Sequence, residues 1–452
     1  MINSDKFLKK KKISVVDFVI VLSVVISPVV GALSLIMVFF LTVYTLISCL
    51  KVKYFKGLTN FPFGLLGIIF ISYFTYFFLN GIVFEDDMYQ LKRGIQKIVP
   101  ILIIGVLALT TQNHTFSLNH KFISTLSTWS LYVMVVLAVL IFTVNPQFMF
   151  MGHTLASKTQ IFSRIEMGTQ NALIFAIIIT TLGFLSLLSF EQKTFFEKTT
   201  SLTILLICIL ITLFWNKSRG PFIVCLPLCI ISIWYLWPNI INFYNQTNKK
   251  IFWMISALII FLSIIFIYLY LNLILQNETL VYLTSGIKSI FSSNPSDSSM
   301  SLRSILWINS LEPLSLKPIF GYGISKKMDA VLPFIINSPR FYSLDSGSQH
   351  YILNFNHLHS IYFNHLISGG IFGFLILILY IFSVILVIKK ANLETSRDSK
   401  YFITIVLTSL IFNGLTNVIL MHELLSHFFS MLIFLSLICI KNNSEPMKAS
   451  VI

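Results

Sequence analysis

Two cationic side chains stand in a short segment between two apolar runs. In residues 217–221 (KSRGP), Gly220 permits a tight turn and Pro221 suits the first position of a following helix, where its missing N–H costs nothing. A guanidinium offers a planar fork to phosphate oxygens. Lys217 and Arg219 are therefore candidate ligands of a lipid diphosphate headgroup. Alternatively, both side chains only extend to the membrane surface from a helix end.

A third candidate cation, Arg303, precedes Trp307 by four residues, so a short helix would place both on one face. The alternative is a solvated loop arginine with no binding role. Residues 318–323 (PIFGYG) follow and predict a turn. Its glycines suit backbone geometry better than they suit phosphate binding.

Two histidines, His357 and His359, precede a long apolar run. A neutral imidazole can take a proton from a hydroxyl, and its ordinary pKa lies near working pH. The alternatives are an interfacial pair with no role, or a metal site. Histidines two residues apart diverge on a helix and align on a strand, and no further metal ligands can be identified.

Two other polar motifs are assigned no chemistry. Residues 422–427 (HELLSH) resemble a zinc-protease helix, but His427 comes one residue too late to share the face of His422. Asp86 and Asp87 are expected in a solvated outer loop.

The composition indicates which elements must position these residues. The chain has 452 residues, 56% hydrophobic and 11% charged, with a mean hydropathy of +0.85. Apolar runs reach the roughly 17–25 residues that a membrane-spanning helix needs. They lack the alternation of a β-barrel strand. The net charge of +15 is assigned to loops beside helices and to anionic lipid, which argues against nucleic-acid binding.

We predict an all-α polytopic membrane protein with about twelve transmembrane helices. The predicted spans are 13–26, 32–50, 61–84, 95–111, 122–144, 172–190, 202–215, 221–237, 251–273, 361–388, 401–420 and 424–440. The excess of lysine and arginine in alternate loops places both termini in the cytoplasm.

The predicted organisation has four parts. Residues 1–273 carry the first nine spans, 274–360 form a large outer loop, 361–441 carry the last three spans, and 442–452 form a cytoplasmic tail. The loop contains too many aromatic residues to be disordered, so we expect a small helical subdomain.

Together these features resemble the O-antigen ligase and polymerase superfamily. The resemblance rests on 218–220 (SRG), on Arg303 with Trp307, on 318–323, on 357–359 (HLH), and on Ser368 with 369–373 (GGIFG). It covers roughly the C-terminal half; the first five spans match only in hydropathy.

The resemblance implies a function at the periplasmic face of a bacterial inner membrane. Family members transfer a glycan from undecaprenyl diphosphate, with inversion and without nucleotide, metal or other cofactor. It further implies that Arg219 and Arg303 hold the diphosphate, that His359 activates the acceptor hydroxyl, and that a ligase uses a lipid A-core sugar as acceptor.

One departure from the family pattern leaves open which histidine is the base. Ser360 follows His359 where many relatives carry asparagine, so either His357 or His359 could be the base, and His359 is favoured. Within the superfamily, an O-antigen polymerase is the alternative to a ligase. From a different class, a flippase or transporter is disfavoured because the candidate groups gather at one face and not near the bilayer midplane.

Overall fold

The computed structural model describes most of the chain. The described residues are 15–26, 31–52, 62–85, 87–111, 118–144, 149–150, 153–154, 156–158, 163–165, 172–212, 219–246 and 299–444.

Helices dominate these residues. The α-helices are α1 Val15–Ile26, α2 Gly31–Val52, α3 Pro62–Phe84, α4 Met88–Thr110, α5 His120–Val144, α6 Ala172–Leu185, α7 Phe195–Leu210, α8 Arg219–Gln246, α9 Ser299–Asn309, α10 Leu311–Leu316, α11 Lys327–Ile336, α12 Pro339–Tyr342, α13 Ser346–Leu353, α14 Ile361–Ile381, α15 Ser383–Lys390, α16 Arg397–Thr416 and α17 Glu423–Ser444. Short 3₁₀ turns cover Phe190–Gln192 and Ile419–Met421.

Four short strands are an exception to the predicted all-α class. They are β1 Met149–Phe150, β2 His153–Thr154, β3 Ala156–Lys158 and β4 Ser163–Ile165. They form two antiparallel pairs, β1 with β2 and β3 with β4. These pairs lie between α5 and α6, in a connection where the sequence predicted no secondary structure.

A helix lies at every predicted span except 251–273, which falls outside the described residues. Within the part of the chain that the structure describes, six helices are long and apolar enough to cross a membrane: Pro62–Phe84, Met88–Thr110, Val224–Asn242, Ile361–Ile381, Arg397–Thr416 and Glu423–Asn442. Leu33–Ser48 and Leu173–Leu185 are shorter apolar helices. The α-helical membrane class is confirmed, while the total of twelve spans stays a prediction.

Several helix starts differ from the predicted spans, and α4 and α7 each begin seven residues early. Helix α4 begins at Met88, seven residues before the predicted span, because backbone hydrogen bonds form regardless of hydropathy; the N–H of Leu91 already donates to the carbonyl oxygen of Asp87 at 3.0 Å. Oδ1 of Asp87 accepts from the N–H of Tyr89 at 2.8 Å, so this carboxylate caps a helix. Helix α8 begins at Arg219, which makes Pro221 its third residue and not its first.

The chain divides into two compact units. The first comprises Met1–Leu79, Lys92–Ile233 and Leu375–Ile452. Helix α17 lies at its interior, since every residue from 425 to 440 is buried. Hydroxyl pairs join its helices, as between Thr181 and Ser409 at 2.6 Å, which satisfies polar groups where water is scarce.

The second unit comprises Asn80–Leu91 and Trp234–Phe374. Between residue 299 and the start of α14, its described part contains five helices, α9 to α13. Their inward faces share one hydrophobic core, in which Leu306, Val331 and Leu358 are fully buried. This core holds the short helices in a fixed arrangement around the residues before α14.

Candidate functional site

A left-handed turn between α13 and α14 carries the two predicted histidines. His359 has a φ of 50°, which is uncommon for a residue with a side chain. Its backbone N–H donates to Nδ1 of His357 at 3.3 Å. The two rings meet edge to face, with centroids 4.1 Å apart. The structure therefore brings His357 and His359 together through a turn, and neither a helix nor a strand sets their orientation.

Helix α9 lies beside this turn. Nε1 of Trp307 donates to the carbonyl oxygen of Leu358 at 2.8 Å. The Trp307 ring stacks on the Phe363 ring, with centroids 5.7 Å apart and an angle of 4° between the ring planes. Arg303 lies one helical turn before Trp307, on the same face. Its positive charge is the second cause, after burial, of a lowered pKa of His359. The second unit thus contains three of the predicted site residues, Arg303, His357 and His359, in one neighbourhood.

The two ring nitrogens of His359 distinguish this histidine from His357. Both nitrogens of His359 are buried and have no hydrogen-bond partner within the described part of the chain. Burial, and secondly the positive charge of Arg303, lower the pKa of His359 to about 3. This pKa lies well below the ordinary value of histidine. The ring is neutral at neutral pH and has a lone pair for a proton.

A buried asparagine, Asn364, supports the turn and was missed by the sequence analysis. Its Oδ1 accepts from the N–H of Leu358 at 3.4 Å, and its Nδ2 donates to the carbonyl oxygen of Ser360 at 2.6 Å. The residue is fully buried in the first turn of α14. The sequence did contain a signal for this contact. Asn364 follows Ser360 by four residues, the spacing at which a helical side chain reaches the preceding turn.

The two glycine-rich motifs of the sequence bind each other, and we call segments 318–323 and 367–372 together the glycine clasp. The N–H groups of Tyr322 and Gly323 donate to the carbonyl oxygens of Ile367 and Ser368, each at 2.9 Å. These carbonyls lose their helical partners because α14 is broken at Gly370, with φ 59° and ψ −156°. The clasp thereby supplies the donors that the broken helix lacks.

Glycine is required at both sides of the clasp. A Cβ on Gly321 would lie 2.5 Å from the carbonyl oxygen of Ile367, and one on Gly370 would lie 2.3 Å from the backbone of Ile319. Both glycines also have positive φ. Their role is close backbone approach, which for Gly321 agrees with the expectation that the glycines of 318–323 serve backbone geometry.

The end of α3 anchors the clasp from a second direction. Nδ2 of Asn80 donates to the carbonyl oxygen of Phe320 at 2.7 Å. Oε1 of Glu85 accepts from the N–H groups of Ser325 and Lys326 at 2.6 and 3.1 Å. The loop is thus held by polar contacts as well as by its apolar core.

The other two predicted ligands are Arg219 and Lys217. Arg219 is the first residue of α8 and belongs to the first unit, while Lys217 lies outside the described residues. Whether they converge with Arg303 stays a prediction. Across the described ranges, no group of three or more histidine, cysteine or acidic residues could hold a metal ion.

The long apolar helices and the helical loop define the class of the protein, which is a multi-pass α-helical membrane protein. A comparison with known families narrows that class. The family model described as O-antigen ligase matches residues 204–378, and this match confirms the predicted resemblance to the O-antigen ligase superfamily. No curated protein matches the chain.

The matched segment contains all five predicted site residues, from Lys217 to His359, together with the glycine clasp. It supports a glycosyltransferase-like activity of the O-antigen ligase or polymerase type. Such an activity fits lipid-linked substrates, because the site lies in a chain whose helices are suited to a bilayer.

Proposed function

We propose that the protein is an O-antigen ligase that transfers a glycan from undecaprenyl diphosphate to a sugar of the lipid A core. The observation that carries the proposal is a neutral His359 whose ring nitrogens are buried and whose pKa the charge of Arg303 helps to lower, inside the segment that matches the family. We place this site at the periplasmic face of a bacterial inner membrane, with residues 274–360 as the periplasmic loop and both termini in the cytoplasm.

His359 is the base in this proposal. Nδ1 of His357 accepts the N–H of His359, so a neutral His357 carries its proton on Nε2 and has no lone pair left for a substrate. The ring nitrogens of His359 accept nothing from the described residues. This difference favours His359 over His357, which the sequence left open.

The reaction is a single displacement. His359 takes the proton of the acceptor hydroxyl while the acceptor oxygen bonds to the anomeric carbon of the donor. The bond from that carbon to the diphosphate oxygen breaks on the opposite side, which inverts the anomeric centre. Both electrons of the broken bond leave with undecaprenyl diphosphate, and the proton stays on the imidazole until solvent removes it.

Cations stabilise the departing group. Negative charge grows on the diphosphate oxygens as the bond breaks, and a fixed guanidinium at a site poor in water stabilises it better than water does. Arg303 is the cation whose charge acts on His359. Arg219 and Lys217 complete the set of cations in this proposal.

The bound donor also changes the pKa of the base in this proposal. Arg303 contributes to the lowered pKa of His359 through its positive charge. A diphosphate next to Arg303 offsets that charge, so the pKa of His359 rises when the donor is bound. The imidazole therefore becomes a stronger base in the complex in which it is used.

A reconstitution tests the proposal. The purified protein in liposomes receives a carrier-linked glycan and one of two acceptors, rough lipopolysaccharide or a carrier-linked repeat unit. Glycosylation of the lipopolysaccharide is expected. Transfer to the carrier-linked repeat alone would identify a polymerase. Movement of the donor across the bilayer without transfer to either acceptor would identify a flippase.

A further inference from the structure

We propose that His357 is a positioning residue, whose ring holds the catalytic His359 in its left-handed backbone conformation. The proposal rests on the function proposed above and assigns a role that is distinct from proton transfer. It concerns one hydrogen bond, from the N–H of His359 to Nδ1 of His357, at 3.3 Å.

This hydrogen bond has the pattern of an Asx-turn. In such a turn, the side-chain oxygen of asparagine or aspartate accepts the N–H two residues later and stabilises a local reversal of the chain. Nδ1 of histidine occupies the same place on its side chain, one bond beyond Cγ, as Oδ1 of asparagine. His357 can therefore act here as asparagine acts elsewhere.

The backbone at His359 needs such support. A φ of 50° is unfavourable for a residue with a Cβ, and it persists when the surroundings hold it in place. Trp307 and Asn364 fix the carbonyl oxygen and the N–H of Leu358, which precedes His359. The N–H of His359 itself is held by His357.

The ring of His357 also limits where the base can turn. The His359 imidazole has His357 on one side, with centroids 4.1 Å apart, and Phe355 on another, at 4.4 Å. Truncating His357 removes both the acceptor and one of these two rings. The side chain of His359 is then free to leave the direction in which it meets the acceptor hydroxyl.

Two substitutions separate positioning from proton transfer. Asparagine at 357 cannot act as a base but can accept the N–H of His359, whereas alanine can do neither. In the reconstituted assay we expect His357→Ala to lower kcat by about 10²-fold, the size of effect that a misplacement of about 1 Å causes. We expect His357→Asn to recover most of that loss, with KM for the donor little changed in both.

The control is His350→Ala, since His350 is an exposed histidine of α13. Melting temperatures of all variants are compared so that unfolded protein does not count as lost activity. Equal loss in the alanine and asparagine variants would overturn the proposal, as would wild-type rates in both.

A second measurement does not depend on transfer activity. Diethyl pyrocarbonate modifies accessible neutral imidazoles, and mass spectrometry reports the modification of His359 by itself. We expect faster modification of His359 in His357→Ala than in the wild type, and wild-type behaviour in His357→Asn. Equal rates in all three would overturn the positioning role. A wild type that transfers no glycan yet shows this labelling pattern would refute the ligase function alone.

Discussion

His427 is buried and the ring nitrogens of the half-buried His359 are buried too, but a side-chain hydrogen bond holds only the first of these two rings. Nε2 of His427 lies 2.6 Å from Oγ of Ser34, whose hydroxyl donates to the carbonyl oxygen of Ser23. Because that hydroxyl proton is already used, His427 donates through Nε2. The bond joins α17 to α2, and Ser34 in turn joins α2 to α1.

The difference shows that burial alone does not identify a catalytic histidine. His422, at the start of the same motif, also has a pKa lowered to about 4, by burial and secondly by Lys97. What distinguishes His359 is a backbone held in an unfavourable conformation, two ring nitrogens without a described partner, and a guanidinium beside the ring. His427 connects helices, whereas His359 presents a lone pair.

The largest expected effect comes from removing the proposed base. His359→Gln is expected to lower kcat by about 10²–10⁴-fold, the contribution typical of a general base. Single-turnover transfer to rough lipopolysaccharide measures it. His427→Gln is the matched control. Equal losses of kcat in the two variants would remove the distinction between the two histidines.

The cation beside His359 comes next. Arg303→Ala is expected to lower kcat/KM for the carrier-linked glycan by about 10²–10³-fold, since the guanidinium that stabilises the negative charge of the departing diphosphate is lost. Arg303→Lys should recover part of this, because an ammonium cannot bind phosphate oxygens in the bidentate manner of a guanidinium. Arg219→Ala and Arg219→Lys should follow the same order; wild-type activity in Arg219→Ala would exclude that residue from the mechanism.

The pH dependence tests the state of the base. The lowered pKa of His359 means that the free enzyme takes up this proton only as the pH falls toward about 3. Hence kcat/KM, which reports the free enzyme, should show no decline from His359 between about pH 8 and pH 5. A decline centred near the ordinary histidine pKa of about 6.5, lost in His359→Gln, would contradict the buried environment.

The smallest effect on activity is expected at His427. His427→Ala removes the donor to Ser34 and should lower the free energy of unfolding by about 1–3 kcal/mol. Activity per folded molecule should stay at the wild-type level. Thermal unfolding in detergent, combined with the transfer assay, measures both quantities. A stable but inactive variant would move His427 into the chemistry.

Hydropathy predicted where the helices lie because long apolar runs in lipid satisfy their backbone only as helices. It misplaced the start of α4, since Lys92 and Arg93 are helical without being apolar. The strands between α5 and α6 were missed because they are two or three residues long and carry no run of strand-forming residues.

The sequence predicted most residues of the candidate site, but it did not predict their geometry. Arg303, His357 and His359 were named from the sequence, and Asn364 was not. The left-handed turn depends on contacts from α9 and α14, which lie far apart in the chain. The pKa of His359 likewise depends on tertiary burial, which no local pattern records.

The glycine clasp joins the two ends of residues 318–372 by backbone hydrogen bonds, so this segment forms a closed loop. Such a closed segment tolerates changes in its length, since the entropic cost of a longer loop grows only slowly and the ends stay pinned. Asn337, an exposed residue between α11 and α12, is a position where extra residues can be accommodated. We therefore expect residues inserted at Asn337 to leave the hydrogen bonds of the glycine clasp intact.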